Sequence, residues 1–316
     1  MDNLRLAFEN AKRGKKHYRE VKKIEKNPSV YLLEIQKALR NKTYKTSKYE
    51  IMTKITDSGK SREIHKLPFF PDRIVHHAIM QVTENIWFRT LIRDTYSSLK
   101  GRGIHDGVKR VRKALKNKKD TRYCLKFDIK KYYPSIDNGI LKKVIRKKIK
   151  DNDLLWLLDE IIDSTSGVPI GNYLSQYFGN LFLSDFDHLM KEKYRCKNYF
   201  RYCDDVVILS DSKEFLHFLR RVICKLLKNI KLKIKQNWQV FPVCSRGLDF
   251  LGYRFFHGYT LLRDSIKQKF IKKVRLINSR WAVMSVPQVV SSIMSYYGWF
   301  KYANCMNLSK KHIDKN

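Results

Sequence analysis

Three acidic side chains stand at the ends of runs that are otherwise mostly apolar. Asp128 ends the run Tyr123–Phe127, and the adjacent pair Asp204 and Asp205 precedes Val206–Leu209. Adjacent carboxylates repel each other, and a third one close by is costly unless divalent cations neutralise them. Magnesium prefers oxygen ligands, and two ions roughly 3.5–4 Å apart can activate an attacking 3′-hydroxyl and stabilise a leaving pyrophosphate. The acids therefore predict a two-metal site for nucleotidyl transfer, and the alternative is a solvent-exposed Asp-Asp turn.

The net charge indicates which partner such a site would serve. The 316 residues include 66 Lys and Arg against 30 Asp and Glu, which gives a formal charge of +36. A field of this size attracts polyanions, and counterion release from phosphates makes nucleic acid the partner that gains most. With 43% hydrophobic residues the chain can also bury a core, so it is not a disordered tail. This balance argues against most small-metabolite enzymes.

Membrane and secretory roles find little support. The two longest uncharged stretches, 164–184 and 281–300, are interrupted by Ser, Asn, Gln, Gly or Pro, which argues against transmembrane helices. The first residues lack the apolar run of a signal peptide, which predicts a cytoplasmic protein without a membrane partner. The six cysteines form no C-x-x-C pair and are expected to be reduced thiols without chemistry.

Strands and helices must hold the three acids in place. The pattern predicts a strand over 122–129 and two short strands over 199–210 folded about the turn at Cys203–Asp205. Asp137 and Ser212 are expected to be the N-caps of two amphipathic helices. The remaining predicted elements are N-terminal basic helices to about residue 49, a hairpin over 51–67 turning at Asp57–Gly59, helices from 71 and over 105–115, and a strand over 248–255. This order predicts an α+β fold with a sheet backed by helices.

Four motifs in one order resemble those of the reverse transcriptases. Asp128 lies in a segment similar to motif A, and 167–176 is similar to motif B. Residues 202–205 resemble the Y-x-D-D of motif C, and 248–253 resembles the primer-grip motif. The match extends over nearly the whole chain, from about Arg62 to the C-terminal helices.

The resemblance implies an α+β right-hand polymerase. Its palm would be an antiparallel sheet backed by helices, joined to fingers and to a helical thumb. The expected domains are 1–120 for the N-terminal helices and fingers (interleaved with the palm), 121–257 for the palm with motifs A to E, and 258–316 for the thumb.

In such an enzyme the carboxylates hold two Mg²⁺ ions, for which Mn²⁺ can substitute. The resemblance implies that Asp128 and Asp204 bridge both metals, that Asp205 assists, and that the backbone carbonyl of Ile129 reaches the nucleotide-side metal. Tyr133, five residues after Asp128, falls at the aromatic steric gate that excludes ribonucleotides in the family. The alternative for Tyr133 is a core tyrosine.

Basic and loop residues complete the implied nucleotide and primer sites. Arg62, Lys66 and Arg73 correspond to the fingers segment that neutralises the triphosphate, where Arg offers bidentate donors and Lys a point charge. Lys235 is the implied motif D lysine that donates a proton to pyrophosphate, with Lys233 as the alternative. The other implied contacts are Ile170, Gly171 and Gln176 for the nucleotide, and Leu251, Gly252 and Tyr253 for the primer grip.

Motif B narrows the resemblance to the reverse transcriptases of diversity-generating retroelements. Ile170 stands where retroviral enzymes place Gln, and Gln176 where most relatives place Pro, in a GxxxSQ form similar to that of this family. The segment 96–105 and the short basic thumb ending at 297–301 are similar as well. The resemblance implies error-prone cDNA synthesis from a template-repeat RNA for mutagenic retrohoming, in a bacterial or phage-encoded system. Loss of polar contacts at Ile170 is expected to relax the geometric check on base pairing.

The implied partners are template RNA, the primer or cDNA strand, deoxynucleoside triphosphates and a small basic accessory protein. Retron, group II intron-like and abortive-infection reverse transcriptases are the alternatives within the family, since their catalytic acids would look the same. A catalytically idle nucleic-acid-binding scaffold is the alternative outside it. Such a scaffold could lose Asp128 or Asp204 without harm, so their presence favours the enzyme.

Overall fold

The computed structural model describes residues 1–55, 59, 61–305 and 307–308. The chain divides into two compact units, and each is assembled from three segments. Unit 1 consists of 1–93, 129–189 and 225–233, and unit 2 consists of 94–128, 190–224 and 234–316.

The described residues form α-helices and strands in mixed order. The helices are α1 (Asp2–Ala11), α2 (Arg19–Lys26), α3 (Pro28–Arg40), α4 (Ile74–Thr90), α5 (Ile104–Leu115), α6 (Asn138–Arg146), α7 (Asn152–Asp163), α8 (Ser175–Phe182), α9 (Ser184–His188), α10 (Lys213–Asn229), α11 (Val243–Arg246), α12 (Asp264–Ser279) and α13 (Val286–Phe300). The strands are β1 (Glu50–Ile55), β2 (Ser61–Lys66), β3 (Thr95–Tyr96), β4 (Tyr123–Asp128), β5 (Asn198–Tyr202), β6 (Asp205–Ser210), β7 (Gln239–Pro242), β8 (Leu248–Phe250), β9 (Tyr253–Phe255) and β10 (Thr260–Leu262).

Unit 1 is built mainly from helices. In α3 the apolar residues recur at helical spacing, and Leu32 and Ile35 are buried. In α4 the helical spacing places Ile74, Ala78, Ile79, Val82 and Ile86 on one side and predicts that they face inward, but Val82 and Ile86 are 54% and 40% exposed. That part of the prediction was wrong because polar residues such as Thr83 take buried positions on α4, and an apolar pattern does not count them.

Side-chain caps begin two helices where the sequence predicts them. Asp137 accepts a 2.9 Å hydrogen bond from the N–H of Ile140 at the start of α6. Ser212 Oγ accepts a 3.0 Å hydrogen bond from the N–H of Phe215 at the start of α10. Both N-caps are confirmed, and each satisfies a backbone donor that the first helical turn leaves unpaired.

The predicted hairpin of unit 1 is formed by β1 and β2. The two strands are antiparallel, with Glu50 opposite Lys66 and Ile55 opposite Ser61. Every residue of β1 is exposed. Of the predicted turn, Asp57 and Ser58 lie outside the described residues.

A five-stranded sheet forms the centre of unit 2, in the order β3-β5-β6-β4-β7. Strand β4 is antiparallel to β6 and β7, and β5 is antiparallel to β6. The two-residue β3 adds a parallel edge to this otherwise antiparallel sheet. The run Val206–Leu209 is buried throughout, which explains why β6 is continuously apolar rather than alternating.

A second, three-stranded sheet in unit 2 has the order β10-β9-β8. The sequence predicts one strand over 248–255, but the structure divides it into β8 and β9. The division falls at Leu251 and Gly252, whose φ values are +54° and +86°. Two successive residues with positive φ form the tight turn of a hairpin, so the chain reverses where a single strand was expected.

Helices α12 and α13 follow this sheet. Helical periodicity places Ile266, Phe270, Ile271, Val274 and Ile277 of α12 on one face, and all of these except the half-buried Ile266 are buried. Ile293, Tyr296 and Phe300 of α13 pack against part of that face. None of the described helices combines the length and the apolar character needed to cross a membrane.

Candidate active site

Two neighbouring strands of unit 2 bring two of the predicted carboxylates side by side. In the antiparallel register of β4 and β6, Asp128 lies directly opposite Asp205. Because Asp128 ends β4 and Asp205 begins β6, both side chains lie at the same end of the sheet. Like charges directly opposite each other destabilise a sheet, so this pair requires compensating positive charge.

The third acid lies in the turn between β5 and β6. Cys203 and Asp204 connect the strands, and Cys203 has a φ of +56°, in the left-handed region. Arg201 of β5 is fully buried and donates a 3.0 Å hydrogen bond from Nη1 to the carbonyl oxygen of Cys203. This bond holds the turn that carries Asp204 next to Asp205.

Two lysines supply positive charge beside the acids. Lys126 Nζ lies 3.6 Å from Asp205 Oδ2 and also donates a hydrogen bond to the carbonyl oxygen of Asp249. Lys235 Nζ lies 3.7 Å from Asp128 Oδ2. The backbone N–H of Lys235 donates a 2.8 Å hydrogen bond to the carbonyl oxygen of Asp128. Each of the paired carboxylates thus has one ammonium group beside it.

Burial changes the acid–base behaviour of these groups. It raises the pKa of Asp205 to about 7, while Lys126 opposes the rise and the charges of Asp128 and Asp204 add to it. Burial is also the main cause that raises the pKa of Asp204. At neutral pH these carboxylates therefore hold protons more readily than an exposed Asp does, and a bound cation would favour their ionised form.

The donor atoms fit a hard divalent cation. All three groups are carboxylates, and Asp205 Oδ1 is buried without a hydrogen-bond partner. A buried carboxylate oxygen without a partner is costly, and a metal ion of the magnesium type would satisfy it. Among the described residues, no three His, Cys, Asp or Glu side chains form a ready-made metal-binding group. Lys126 and Lys235 lie in ion pairs with Asp205 and Asp128 and supply positive charge beside these acids.

A cavity of about 200 Å³ opens beside Asp128. Lys126, Arg246 and Arg254 contribute positive charge to its walls, and Asn237 and Gln239 contribute amide groups. Polar and cationic walls of this kind are compatible with an anionic group next to the acids.

The implied primer-grip residues lie in the turn between β8 and β9. Tyr253 donates a 3.0 Å hydrogen bond from its hydroxyl to the carbonyl oxygen of Trp299. A Cβ atom on Gly252 would lie 2.5 Å from the Trp299 ring, so the close approach requires glycine. Leu251 and Tyr253 are buried. The turn is therefore held firmly against α13, within unit 2.

In unit 1 the motif B loop lies against β2. The N–H of His65 donates a 2.7 Å hydrogen bond to the carbonyl oxygen of Ile170. Gly171 has a φ of +118°, and a Cβ atom there would lie 2.7 Å from the carbonyl oxygen of His65. Both the conformation and the space therefore require glycine at this position. Gln176 is exposed in the first turn of α8.

The structure distinguishes the two tyrosines that follow the first acid. Tyr132 is 3% exposed and donates its hydroxyl to the carbonyl oxygen of Gly179. Tyr133 is half-buried, and a Cβ atom on Gly179 would lie 2.9 Å from its ring. The core position thus belongs to Tyr132, and the gate role of Tyr133 stays a prediction.

The three basic residues predicted to meet the triphosphate all belong to unit 1. Arg62 and Lys66 are exposed on β2, and Lys66 Nζ lies 3.1 Å from Glu50 Oε2. Such a surface ion pair is worth little and leaves the lysine able to exchange partners. Arg73 is half-buried at the start of α4.

Two charged residues near the acids were missed from the sequence. Lys126 precedes Asp128 by two positions in the same strand, so alternation places both on one face, and this signal could have found it. Arg201 is a charged residue inside a buried strand, but nothing local indicates that it bonds to the turn.

Ile129 directly follows β4 and is buried. Lys233 does not lie in an ion pair with an acid in the described residues, whereas Lys235 does.

The sequence matches known proteins over most of its length. A family model described as "Reverse transcriptase (RNA-dependent DNA polymerase)" matches residues 44–255. Protein YkfC of Escherichia coli (strain K12) is 25% identical, with 62% of this chain and 64% of that protein covered. The Retron Ec73 reverse transcriptase of Escherichia coli is 24% identical, with 58% of this chain and 62% of that protein covered. The chain thus spans less than two thirds of the length of these curated relatives.

Solved structures of telomerase share the fold. Telomerase from Candida albicans, in complex with a TWJ fragment of telomeric RNA, superposes with a TM-score of 0.54 at 12% identity over 78% of this chain and 55% of that one. Telomerase from Candida tropicalis, also with a TWJ fragment, gives a TM-score of 0.53 at 13% identity over 88% and 58%. At such low identity the likeness concerns the fold alone. It supports the α+β polymerase fold expected from the sequence.

Proposed function

We propose that this chain, which belongs to the reverse transcriptase family of RNA-dependent DNA polymerases, copies RNA into DNA at Asp128, Asp204 and Asp205. The observation that carries the proposal is the strand register, which sets Asp128 opposite Asp205 with Asp204 in the adjoining turn. Partly buried acids at one end of a sheet, two of which (Asp204 and Asp205) have raised pKa values, are costly to a scaffold and useful to a nucleotidyl transferase.

The residues of the chain divide the work of the reaction. Asp128, Asp204 and Asp205 would hold the divalent cations that the family generally uses, together with the carbonyl oxygen of Ile129. When bound, such cations supply the positive charge that phosphoryl transfer requires. Lys235, whose ammonium group lies 3.7 Å from Asp128, would give a proton to the leaving pyrophosphate.

Residues of unit 1 would select the nucleotide. Arg62, Lys66 and Arg73 supply charge for the triphosphate, and Tyr133 would meet the sugar at its 2′ position. Further contacts of the nucleotide would come from Ile170, Gly171 and Gln176.

The primer strand would lie on Leu251, Gly252 and Tyr253 of unit 2. In this scheme the palm corresponds to residues 121–257, the fingers region to residues 1–120 and the thumb to residues 258–316.

The specialised role that we propose is error-prone cDNA synthesis for a diversity-generating retroelement. Support comes from the GxxxSQ form of motif B, with Ile170 and Gln176, and from the segment 96–105. An aliphatic side chain at position 170 offers no hydrogen bond to a base pair, which would weaken discrimination against mispairs. The template would be a repeat RNA, and a small basic accessory protein would assist. The structure of a relative by fold in complex with telomeric RNA supports an RNA partner.

A retron-type enzyme is the second candidate. One relative carries the name Retron Ec73 reverse transcriptase, although the chain covers only 62% of it. Both candidates share the polymerase reaction and differ in template and fidelity.

Primer extension on a defined heteropolymeric RNA tests the polymerase. The wild-type protein is compared with Asp204→Asn, and Asp211→Asn at the opposite end of β6 is the matched control. We expect Mg²⁺-dependent cDNA from the wild type and from Asp211→Asn, and a loss of about a hundredfold or more in Asp204→Asn. Equal synthesis by Asp204→Asn and the wild type would refute the proposed site.

Sequencing the cDNA tests the specialised role. The resemblance to the enzymes of diversity-generating retroelements implies errors concentrated at template adenines, and we expect fewer of them in Ile170→Gln. Accurate cDNA from the wild type would leave the polymerase in place and remove the retroelement assignment. Untemplated DNA would indicate the abortive-infection type instead.

A further inference from the structure

A second cavity of unit 2 lies between α5 and the start of β5. Its volume is about 300 Å³, and two segments that are far apart in the sequence form its walls. Arg110, Lys113 and Asn117 line it from α5 and the turn that follows, and helical spacing places these three on one side of the helix. Lys197 and Asn198 line it from the other segment.

The cavity is separate from the three catalytic acids. In the pairing of β5 with β6, Tyr202 lies opposite Asp205. At the other end of β5, Asn198 lies opposite Leu209. Four residues of strand separate these two ends, which amounts to about 13 Å at roughly 3.3 Å per residue. None of the residues that line the cavity has a role in the nucleotide or primer sites proposed above.

Ion pairs join the two segments and hold the walls in place. Asp94 accepts hydrogen bonds from Arg110 Nε at 2.9 Å and from Lys191 Nζ at 3.0 Å. The same ammonium group donates a 2.9 Å hydrogen bond to the carbonyl oxygen of Lys197. Asp120 lies 3.8 Å from the ammonium group of Lys197. The shape of the cavity is therefore set by direct contacts across it.

Both segments carry a surplus of positive charge. Residues 104–121 include seven Lys and Arg against two Asp, and residues 190–198 include four Lys and Arg against one Glu. With Asp94 added, eleven basic side chains stand against four acidic ones, which leaves a surplus of seven. A surface of this charge attracts a polyanion.

The surplus is not neutralised as it is on the basic helix of unit 1. There, Lys142, Arg146 and Lys147 each lie in an ion pair with an acid of the same unit. On α5, by contrast, no acid of the described residues forms an ion pair with Lys113, and no hydrogen bond within the described chain occupies the half-buried side-chain amide of Asn198. The cavity therefore offers a charge and an amide that no group of the chain uses.

The chemistry of the walls suits RNA. Lys113 can bind a phosphate as a point charge. A carboxylate such as Asp120 repels phosphate, but it can accept a hydrogen bond from the ribose 2′-hydroxyl, which DNA lacks. The amide of Asn198 can both donate to and accept from a ribose or a base. The volume lies at the lower end of the range for small-ligand sites, which fits a single nucleotide of a strand.

We propose that this cavity binds one nucleotide of an RNA strand outside the catalytic centre. Lys113 contacts a phosphate, and Asn198 and Asp120 contact the ribose or the base. The inference rests on the proposed function, because that function supplies RNA as the template. A second contact of this kind anchors a long template RNA while another part of it is copied at the acids.

Binding of a long, labelled single-stranded RNA without primer or nucleotide tests the site. Fluorescence anisotropy at several salt concentrations compares the wild type, Lys113→Gln, Asn198→Ala and the control Lys116→Gln. Lys116 is exposed at the end of α5 and does not line the cavity. Circular dichroism of each variant verifies that it is folded.

The two variants of the cavity have different signatures. We expect Lys113→Gln to reduce the salt slope by about 0.7, the value for one phosphate contact on a single strand, which corresponds to about fivefold weaker binding at about 0.1 M salt. Asn198→Ala should weaken binding by about fivefold, as for one lost hydrogen bond, without changing the slope. Lys116→Gln should change the affinity less than about twofold.

The proposal requires a loss in both variants of the cavity. Unchanged RNA binding in either of them, or a loss in Lys116→Gln equal to that in Lys113→Gln, would refute the site. The same series on DNA of identical sequence tests the choice of RNA, because Asn198→Ala should weaken RNA binding more than DNA binding. An equal loss on DNA would overturn that choice.

Primer extension separates this site from the catalytic centre. If Lys113→Gln raises the KM for a short template–primer as much as it raises the Kd for the long RNA, the cavity belongs to the catalytic cleft and the proposal fails. RNA binding requires no catalysis. A wild type without polymerase activity in which both variants of the cavity still weaken RNA binding would therefore refute the proposed function and support this site.

Discussion

Replacing Asp94 with Asn is expected to destabilise unit 2 measurably. The Asp94 side chain is 5% exposed and accepts hydrogen bonds from Arg110 Nε at 2.9 Å and Arg110 Nη2 at 3.1 Å. It also accepts from Lys191 Nζ at 3.0 Å and from the Tyr96 hydroxyl at 2.8 Å. In Asp94→Asn the amide is uncharged and can accept through only one atom, so the two basic groups lose their counter-charge.

The size of the effect follows from the burial of the partners. Removing one member of a buried ion pair costs about 3–5 kcal/mol. The lower end applies here because Arg110 and Lys191 are 38% and 21% exposed and keep part of their hydration. An unfolding entropy of about 2.1 cal/mol/K per residue over 316 residues gives about 0.66 kcal/mol per kelvin. A loss of about 3 kcal/mol thus lowers the Tm by about 5 °C.

The assay is thermal unfolding followed by circular dichroism at pH 7. The matched control is Asp120→Asn, because Asp120 forms an ion pair with Lys197 at 3.8 Å in which the side chains are 41% and 80% exposed. We expect a change below about 1 °C for this control. A Tm for Asp94→Asn as high as that of the control would refute the reasoning that burial decides the strength of the network.

The same carboxylate makes stability depend on pH. Hydrogen bonds from Arg110, with the charge of Lys191, lower the pKa of Asp94 against the opposing effect of burial. A carboxylate whose pKa is lower in the folded protein than in the unfolded chain stabilises the folded state. This contribution is complete at a pH above the pKa of the unfolded chain, about 3.9, and it is lost as the pH falls through the pKa of the folded protein. The difference in stability between wild type and Asp94→Asn should therefore be constant from pH 7 to about 5 and shrink below about pH 4. A difference that grew on acidification would contradict the sign.

Three further variants test the site and its supports. Tyr133→Ala should raise the incorporation of ribonucleotides at least tenfold in a competition assay. Little change in stability is expected because the side chain is only half-buried, and unchanged sugar selectivity would remove the gate role. Gly252→Ala should raise the KM for primer-template and lower the Tm, because its Cβ would lie 2.5 Å from the Trp299 ring, and normal values for both would contradict the tight turn. Asp137→Ala should lower the free energy of unfolding by about 1 kcal/mol, as expected for a lost N-cap, while polymerase activity remains.

Local features of the fold could be predicted because their causes are local. The caps Asp137 and Ser212 follow from a side-chain oxygen three residues before the N–H that it accepts from. The apolar face of α12 follows from helical periodicity. The prediction of a single strand over 248–255 was wrong because the sequence carries no local signal for the turn that divides it. Its turn uses Leu251 with a positive φ, and a leucine carries no signal for that conformation.

The candidate site was predictable in its residue types but not in its supporting contacts. Adjacent acids in a +36 chain indicated a nucleotidyl-transfer site from sequence alone. The ion pairs of Lys126 with Asp205 and of Lys235 with Asp128 were not predictable. Each pair joins residues far apart in the sequence, which become neighbours only when whole elements pack together.

The sequence by itself determined which residues carry charge, where the capped helices α6 and α10 begin, and which residue types alternate along a strand. These properties depend on neighbours within a few positions of the chain. Only the tertiary structure decided that Asp128 lies opposite Asp205, that Lys235 rather than Lys233 pairs with an acid, and that Tyr132 is the core tyrosine. A strand register joins residues far apart in sequence and is selected by the packing of the whole sheet, so no local pattern records it.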